Sequence, residues 1–158
     1  MAYIHDIRKK VGHMPLIMTS ASGVLFDSQH RVLLQARADT GDWGFPGGYL
    51  EYGESFKTAV VREYKEDAGR LVKPVKLLGI LDQDFYTYPN GDEVQPVNAV
   101  YVVEAVSDQL FKTKASETVQ TAFVALDQDP KFFNSQHEKM WQLARNYAHQ
   151  RWGRTINQ

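Results

Sequence analysis

The chain has no cysteine, which excludes disulfides and thiol catalysis and removes cysteine usage as a guide to compartment. It has no apolar run of membrane-spanning length, and charge begins at Asp6. Neither a transmembrane helix nor a secretory leader is therefore expected, and the cytoplasm is the default location. An excess of one charge is missing too: 18 basic residues against 19 acidic ones leave a net charge of −1, which argues against general nucleic-acid or membrane binding. No internal repeat, low-complexity tract or linker divides residues 1–158, and the length suits a single domain with one core.

What is present is concentrated between Gly48 and Arg70, GYLEYGESFKTAVVREYKEDAGR. Ser55 is a good N-cap, residues 56–68 contain no Gly or Pro, and Gly69 suits the left-handed residue that ends a helix, so the spacing predicts a helix from Ser55 to Ala68. Val60, Tyr64 and Ala68 share a stripe, with Val61 beside it, that should face the core. Glu63, Glu66 and Asp67 fall within roughly a 100° arc on the adjoining face, which is expected to be exposed. Like charges at i, i+4, as at Glu63 and Asp67, disfavour an isolated helix, so a positive partner is expected there. Oxygen-only ligands of this density suit Mg²⁺ or Mn²⁺; the plain alternative is a solvated acidic face. The preceding Trp43-Gly44-Phe45-Pro46-Gly47-Gly48 is a glycine-rich entry that lets backbone groups approach an ion or a phosphate.

Taken in register, Gly48, Glu51, Glu54, Arg62, Glu63 and Glu66 resemble the Nudix box, here residues 48–70. The resemblance implies a Nudix-type α/β/α sandwich with a mixed β-sheet. It also implies a MutT-like pyrophosphohydrolase that cleaves a nucleoside diphosphate linked to a further group X, a nucleotide-like small molecule. In the family, Mg²⁺ (or Mn²⁺) would be held by Glu63, Glu66, Asp67 and the Gly48 carbonyl, with Glu54 and Arg62 tying the loop to the helix. Two positions depart from the pattern, Asp67 where a second glutamate is usual and Arg70 where an apolar residue is usual. These departures leave a second reading, a degenerate domain that binds nucleotide or regulates; no appended DNA-binding domain is expected, which counts against a transcriptional role. Modified nucleoside triphosphates, ADP-ribose, dinucleoside polyphosphates and capped RNA ends all use the same box, so the substrate stays open.

Around the box, Tyr3, Ile4, Ile7 and Val11 predict a short amphipathic helix that caps the sheet or makes a homodimer contact, with Arg8, Lys9 and Lys10 solvated. Leu16 to Phe26 reads as a strand, Asp27 to His30 as a turn, and Val32 to Ala36 as the hairpin partner. Arg37 then either meets substrate phosphate, as the resemblance implies, or pairs with Asp39 or Asp42. Val75 to Tyr88 and Val97 to Val106 predict a long hairpin around the Pro89–Asp92 turn. Tyr86 on it resembles a substrate-binding tyrosine of dinucleoside polyphosphate hydrolases, the alternative being packing. Glu117 precedes a final strand, Val119 to Leu126, and stands where Nudix triphosphatases often carry a catalytic or metal-binding carboxylate, with Phe123 in the aromatic place; the alternative is a solvated loop residue. Phe132 to Arg151 predicts a closing helix with Met140, Ala144, Tyr147 and Ala148 as its core stripe and Trp141 packed beside them.

Overall fold

Alternation along the central strands sends one set of side chains to each of two helices, and this arrangement positions the site. The computed structural model describes residues 2–114 and 118–153. In chain order the elements are α1 (Ala2–Val11), β1 (Leu16–Leu25), β2 (Val32–Arg37), β3 (Trp43–Gly44), β4 (Gly47–Tyr49), α2 (Phe56–Ala68), β5 (Arg70–Leu81), β6 (Tyr86–Thr87), β7 (Glu93–Leu110), β8 (Thr118–Val124) and α3 (Ser135–Trp152).

One sheet runs β4-β1-β7-β5 with β6 also on β7, and a second runs β3-β2-β8. The β1–β7 ladder is parallel and joins residues 16–25 to residues 94–103; β4, β5 and β6 are antiparallel to their partners, so the sheet is mixed. Ala21 and Leu25 of β1 with Ala99, Tyr101 and Val103 of β7 pack on Ala59, Val60, Tyr64 and Ala68 of α2. Val24 and Val100 turn the other way and meet Met140, Trp141, Ala144 and Ala148 of α3. The sheets thus lie between helices as an α/β/α sandwich. A helix of 13 residues is marginal alone, so this burial, at about 1.5–3 kcal/mol per large apolar side chain, is what holds α2 in place.

Local chemistry sets the ends of α2. The Ser55 side chain accepts from Thr58 N at 3.1 Å, and Gly69, at φ 63°, donates its N–H to Lys65 O and Tyr64 O, which is how a left-handed residue satisfies the last carbonyls.

Two expectations are corrected. The Asp27–His30 turn forms, with Asp27 Oδ1 accepting from Gln29 N and Arg31 N, yet β2 is not the hairpin partner of β1. The two meet at a bridge between Phe26 and Val32 and then part into different sheets. A strand has two edges, and those of β1 are taken by β4 and β7, so β2 pairs with β3 and β8 instead. The closing helix begins at Ser135 rather than Phe132, because residues 132 and 133 run extended along β3: Phe132 bridges Trp43, and Phe133 N donates to Trp43 O at 3.1 Å. Asn134 then caps α3 by accepting from His137 N. Among the described residues no helix is long and apolar enough to cross a membrane.

Candidate active site

Arg62 on α2 gathers the acidic residues. Its Nε and Nη2 donate to the two oxygens of Glu54 at 2.7 and 2.8 Å, its Nη1 donates to Glu63 Oε1 at 2.9 Å, and Nη2 also reaches Tyr49 O at 3.1 Å. Glu66 Oε2 stands 3.4 Å from the same Nη1, and Glu66 Oε1 accepts from Lys114 Nζ at 3.1 Å. The Arg62 hydrogen bonds hold the Glu54 carboxyl below the usual carboxylate range, and Glu54 in turn keeps Arg62 firmly charged. The fork ties the loop after β4 to α2 at two points, a geometry that lysine could not reproduce.

The acidic face is not the exposed surface that periodicity suggests. Glu63 is 1% exposed and Asp67 3%, whereas the Glu66 side chain keeps 24%. Gly48 explains how Glu63 fits: a Cβ there would lie 2.5 Å from Glu63 Oε1, so only glycine lets β4 pass this close to the carboxylate. Among the described residues no three carboxylates or imidazoles surround one point closely enough to chelate an ion as they stand. The donor chemistry nonetheless fits a hard divalent cation, since every candidate is an oxygen. Glu66's outer partner is a well-exposed lysine, a kind of pair worth at most about 1 kcal/mol and easily exchanged.

Gly48 also lines a cleft of about 680 Å³. On one wall the Arg37 guanidinium sits over the Phe133 ring, 4.1 Å from its centroid. Asp39 clamps the same guanidinium through Nε at 2.9 Å and Nη2 at 2.8 Å, and the pairing lowers the Asp39 pKa. Tyr86 meets Phe133 and Tyr88 edge-on at 5.5 and 4.7 Å, so its ring is packed as well as facing the cleft. Tyr88 and Tyr49 share a 2.6 Å hydroxyl contact. Arg8 is not a solvated cation: it donates to Gly12 O and Glu93 O at 3.0 and 2.7 Å, closing α1 over this side. His137 Nδ1 accepts from Phe45 N at 3.0 Å, which leaves the ring proton on Nε2. Burial, with the Arg37 charge adding to it, pushes the His137 pKa down to about 3, so the imidazole is neutral.

The sequence candidates therefore fall into two groups that meet at Gly48. Arg62, Glu63 and Glu66 on α2, with Glu54 from the loop before it, form the charged cluster, and Asp67 lies one turn beyond Glu63; Arg37 and Tyr86 line the cleft. Glu117 lies outside the described residues. Arg70 places its guanidinium 5.1 Å over the Phe123 ring, a cation–π contact in place of the usual apolar packing. Sequence reasoning missed Asn98, Gln136 and His137 on the cleft floor. The one available signal was Asn98, a polar residue inside an apolar strand.

A family model described as NUDIX domain matches residues 17–144. A MutT-like protein from Streptomyces ambofaciens is 41% identical over 66 residues, 42% of this chain and 43% of that protein. An ADP-ribose pyrophosphatase from Methanocaldococcus jannaschii is 31% identical over 121 residues, 73% of this chain and 66% of the relative. The chain thus spans 43 and 66% of the lengths of these relatives. Among solved structures, a NUDIX hydrolase from Nitrosomonas europaea shares the fold with a TM-score of 0.66 at 20% identity, covering 84% of this chain and 90% of that one. An ADP-ribose pyrophosphatase from Streptococcus suis gives 0.63 at 22% identity, covering 83% and 91%.

Proposed function

Because the chain belongs to the NUDIX domain family, we propose that it is a Mg²⁺-dependent, or Mn²⁺-dependent, pyrophosphohydrolase acting on a nucleoside diphosphate linked to a further group. The observation that supports this most is the meeting at Gly48 of a buried carboxylate, Glu63, with a cleft large enough for a nucleotide. Because one relative is named an ADP-ribose pyrophosphatase, ADP-ribose is the first substrate to try.

Glu63, Glu66 and Asp67, with the Gly48 carbonyl, would hold the metal. When bound, it would neutralise the diphosphate and polarise the phosphoryl oxygens. Arg62 and Glu54 fix the spacing between β4 and α2, so the carboxylates need no rearrangement of the helix. Arg37, immobilised by Asp39 and Phe133, offers a cation at the cleft wall to the substrate's phosphates. Tyr86 and Phe133, packed edge to face, give the base an aromatic corner to rest against. Water attacks one phosphorus, its proton passes to a carboxylate, Glu63 or Glu117, and the bridging P–O bond breaks to leave a mononucleotide and phosphorylated X. Asp67 is one methylene shorter than the glutamate usual there, which predicts a looser metal rather than a lost one.

The test is a hydrolysis screen of ADP-ribose, dinucleoside polyphosphates, modified nucleoside triphosphates and capped RNA with Mg²⁺ and Mn²⁺, reading the mononucleotide released. At least one compound should be cleaved, and Glu66→Gln should lower that rate on the order of 10²-fold. Mg²⁺ should raise the unfolding temperature of the natural protein and not that of the variant. No cleavage of any compound, or full activity in Glu66→Gln, would refute the reading.

A further inference from the structure

Asn98 is the polar group on the cleft floor whose chemistry is unfinished. It is 2% exposed and lines the cleft. Its Nδ2 donates to Gln136 Oε1 at 3.3 Å and contacts Met140 Sδ at 3.5 Å. Gln136 cannot turn over to suit it, because Gln136 Nε2 is committed to Leu81 O at 3.2 Å and Pro96 O at 3.1 Å. The orientation of the Asn98 amide is therefore imposed: flipping it would set oxygen against oxygen at Gln136. Among the described residues its buried Oδ1 has no hydrogen-bond partner. An orphaned acceptor of this kind is destabilising unless a ligand or a water supplies the proton.

The surroundings say what kind of donor fits. Ser20 is the register partner of Asn98 across the parallel β1–β7 pair and lines the same cleft. Neighbouring strands stand about 4.8 Å apart, so a hydroxyl able to donate sits one strand away from a carbonyl able only to accept. The hydroxyl's own contact, to Val97 O, is long at 3.5 Å. The aromatic residues Tyr86 and Phe133 flank the cleft, and the carboxylates that line it among the described residues, Asp39 and Asp92, are engaged by Arg37 and His13 rather than open to the two donors of a guanine edge.

Resting on the functional reading above, we propose that Asn98 is a specificity determinant. Its Oδ1 accepts from the exocyclic amino group of the substrate's base, so the cleft selects bases that present an amino group beside an unprotonated ring nitrogen. Adenine and cytosine share that edge; uracil and hypoxanthine carry a carbonyl in its place.

The test reads binding of product mononucleotides by calorimetry, which needs no turnover. AMP is compared with purine riboside 5′-monophosphate, which lacks only the amino group, and CMP with UMP. The natural protein should bind the amino member of at least one pair about tenfold more tightly, and which pair responds tells adenine from cytosine. Asn98→Leu should bring that ratio near one. Equal affinity within both pairs would overturn the proposal and leave a water as the partner of Oδ1, a result that stands even where the leucine variant fails to fold. Equal weakening of both members by Asn98→Leu would also overturn it, by making the residue a packing element. If diphosphates are cleaved without base preference, only this inference fails; if nothing is cleaved and no mononucleotide binds, the functional reading fails with it.

Discussion

A histidine kept from taking a proton leaves a signature in stability. The unfolded imidazole of His137 binds a proton below its ordinary pKa of 6.5, while the folded one resists until about 3. Between those values the unfolded state carries the extra proton, so stability is complete above 6.5 and falls as pH drops through that window. From pH 7 to pH 5 the loss from this group should be about 2 kcal/mol. Urea unfolding at the two pH values would show it, and His137→Gln, which cannot titrate, should lose less by that amount; an identical pH dependence in both proteins would contradict the buried neutral ring. At this scale the sequence was readable where residues repeat a spacing and opaque where they act alone. Arg62, Glu63 and Glu66 stand in one helical register, but nothing near His137 or Asn98 in the chain reveals that Phe45 and Gln136, far away in sequence, fix their donors and acceptors. The burial of Glu63 was hidden for a related reason: helical period gives a direction, and only the approach of β4 at Gly48 turns that direction into an interior.

Among the elements, α2 is the most fully written into its own residues, because cap, stripe and stop are all local. Gly69→Ala should destabilise by about 2 kcal/mol or more: a left-handed alanine costs about 1–2 kcal/mol, and its Cβ would also press on Phe111 O. Ser55→Ala, at the other end, should cost about 1 kcal/mol. Chemical denaturation of both variants would check the order; a harmless Gly69→Ala would mean that the helix end does not need the conformation seen here. The strands were less legible. The turn at Asp27 has every local mark of a hairpin, and the misassigned partner of β2 shows the limit of such marks, since strand pairing is decided by which edges remain free once distant chain has docked. The short β3 and β4, two and three residues long, carry too little alternation to be read at all.

For the molecule as a whole, the parallel ladder between residues 16–25 and 94–103 has a kinetic consequence. Each of its pairings must close a loop containing the whole of residues 48–70, α2 included, before any of it is rewarded. Folding should therefore run in the slow range for mixed α/β chains, milliseconds to seconds rather than microseconds. Stopped-flow refolding followed through Trp141, which is buried against α3's neighbours, would measure it, and a microsecond phase carrying the full amplitude would show that the ladder is not limiting. On a ribosome the same geometry imposes an order of events. Helix α2 is synthesised well before the strand that completes its sheet, so it waits as a nascent amphipathic segment with its apolar stripe unmatched. In that interval β1 presents a bare edge, and the chain depends on continued elongation, or on a chaperone, to keep that edge from finding a partner on another molecule.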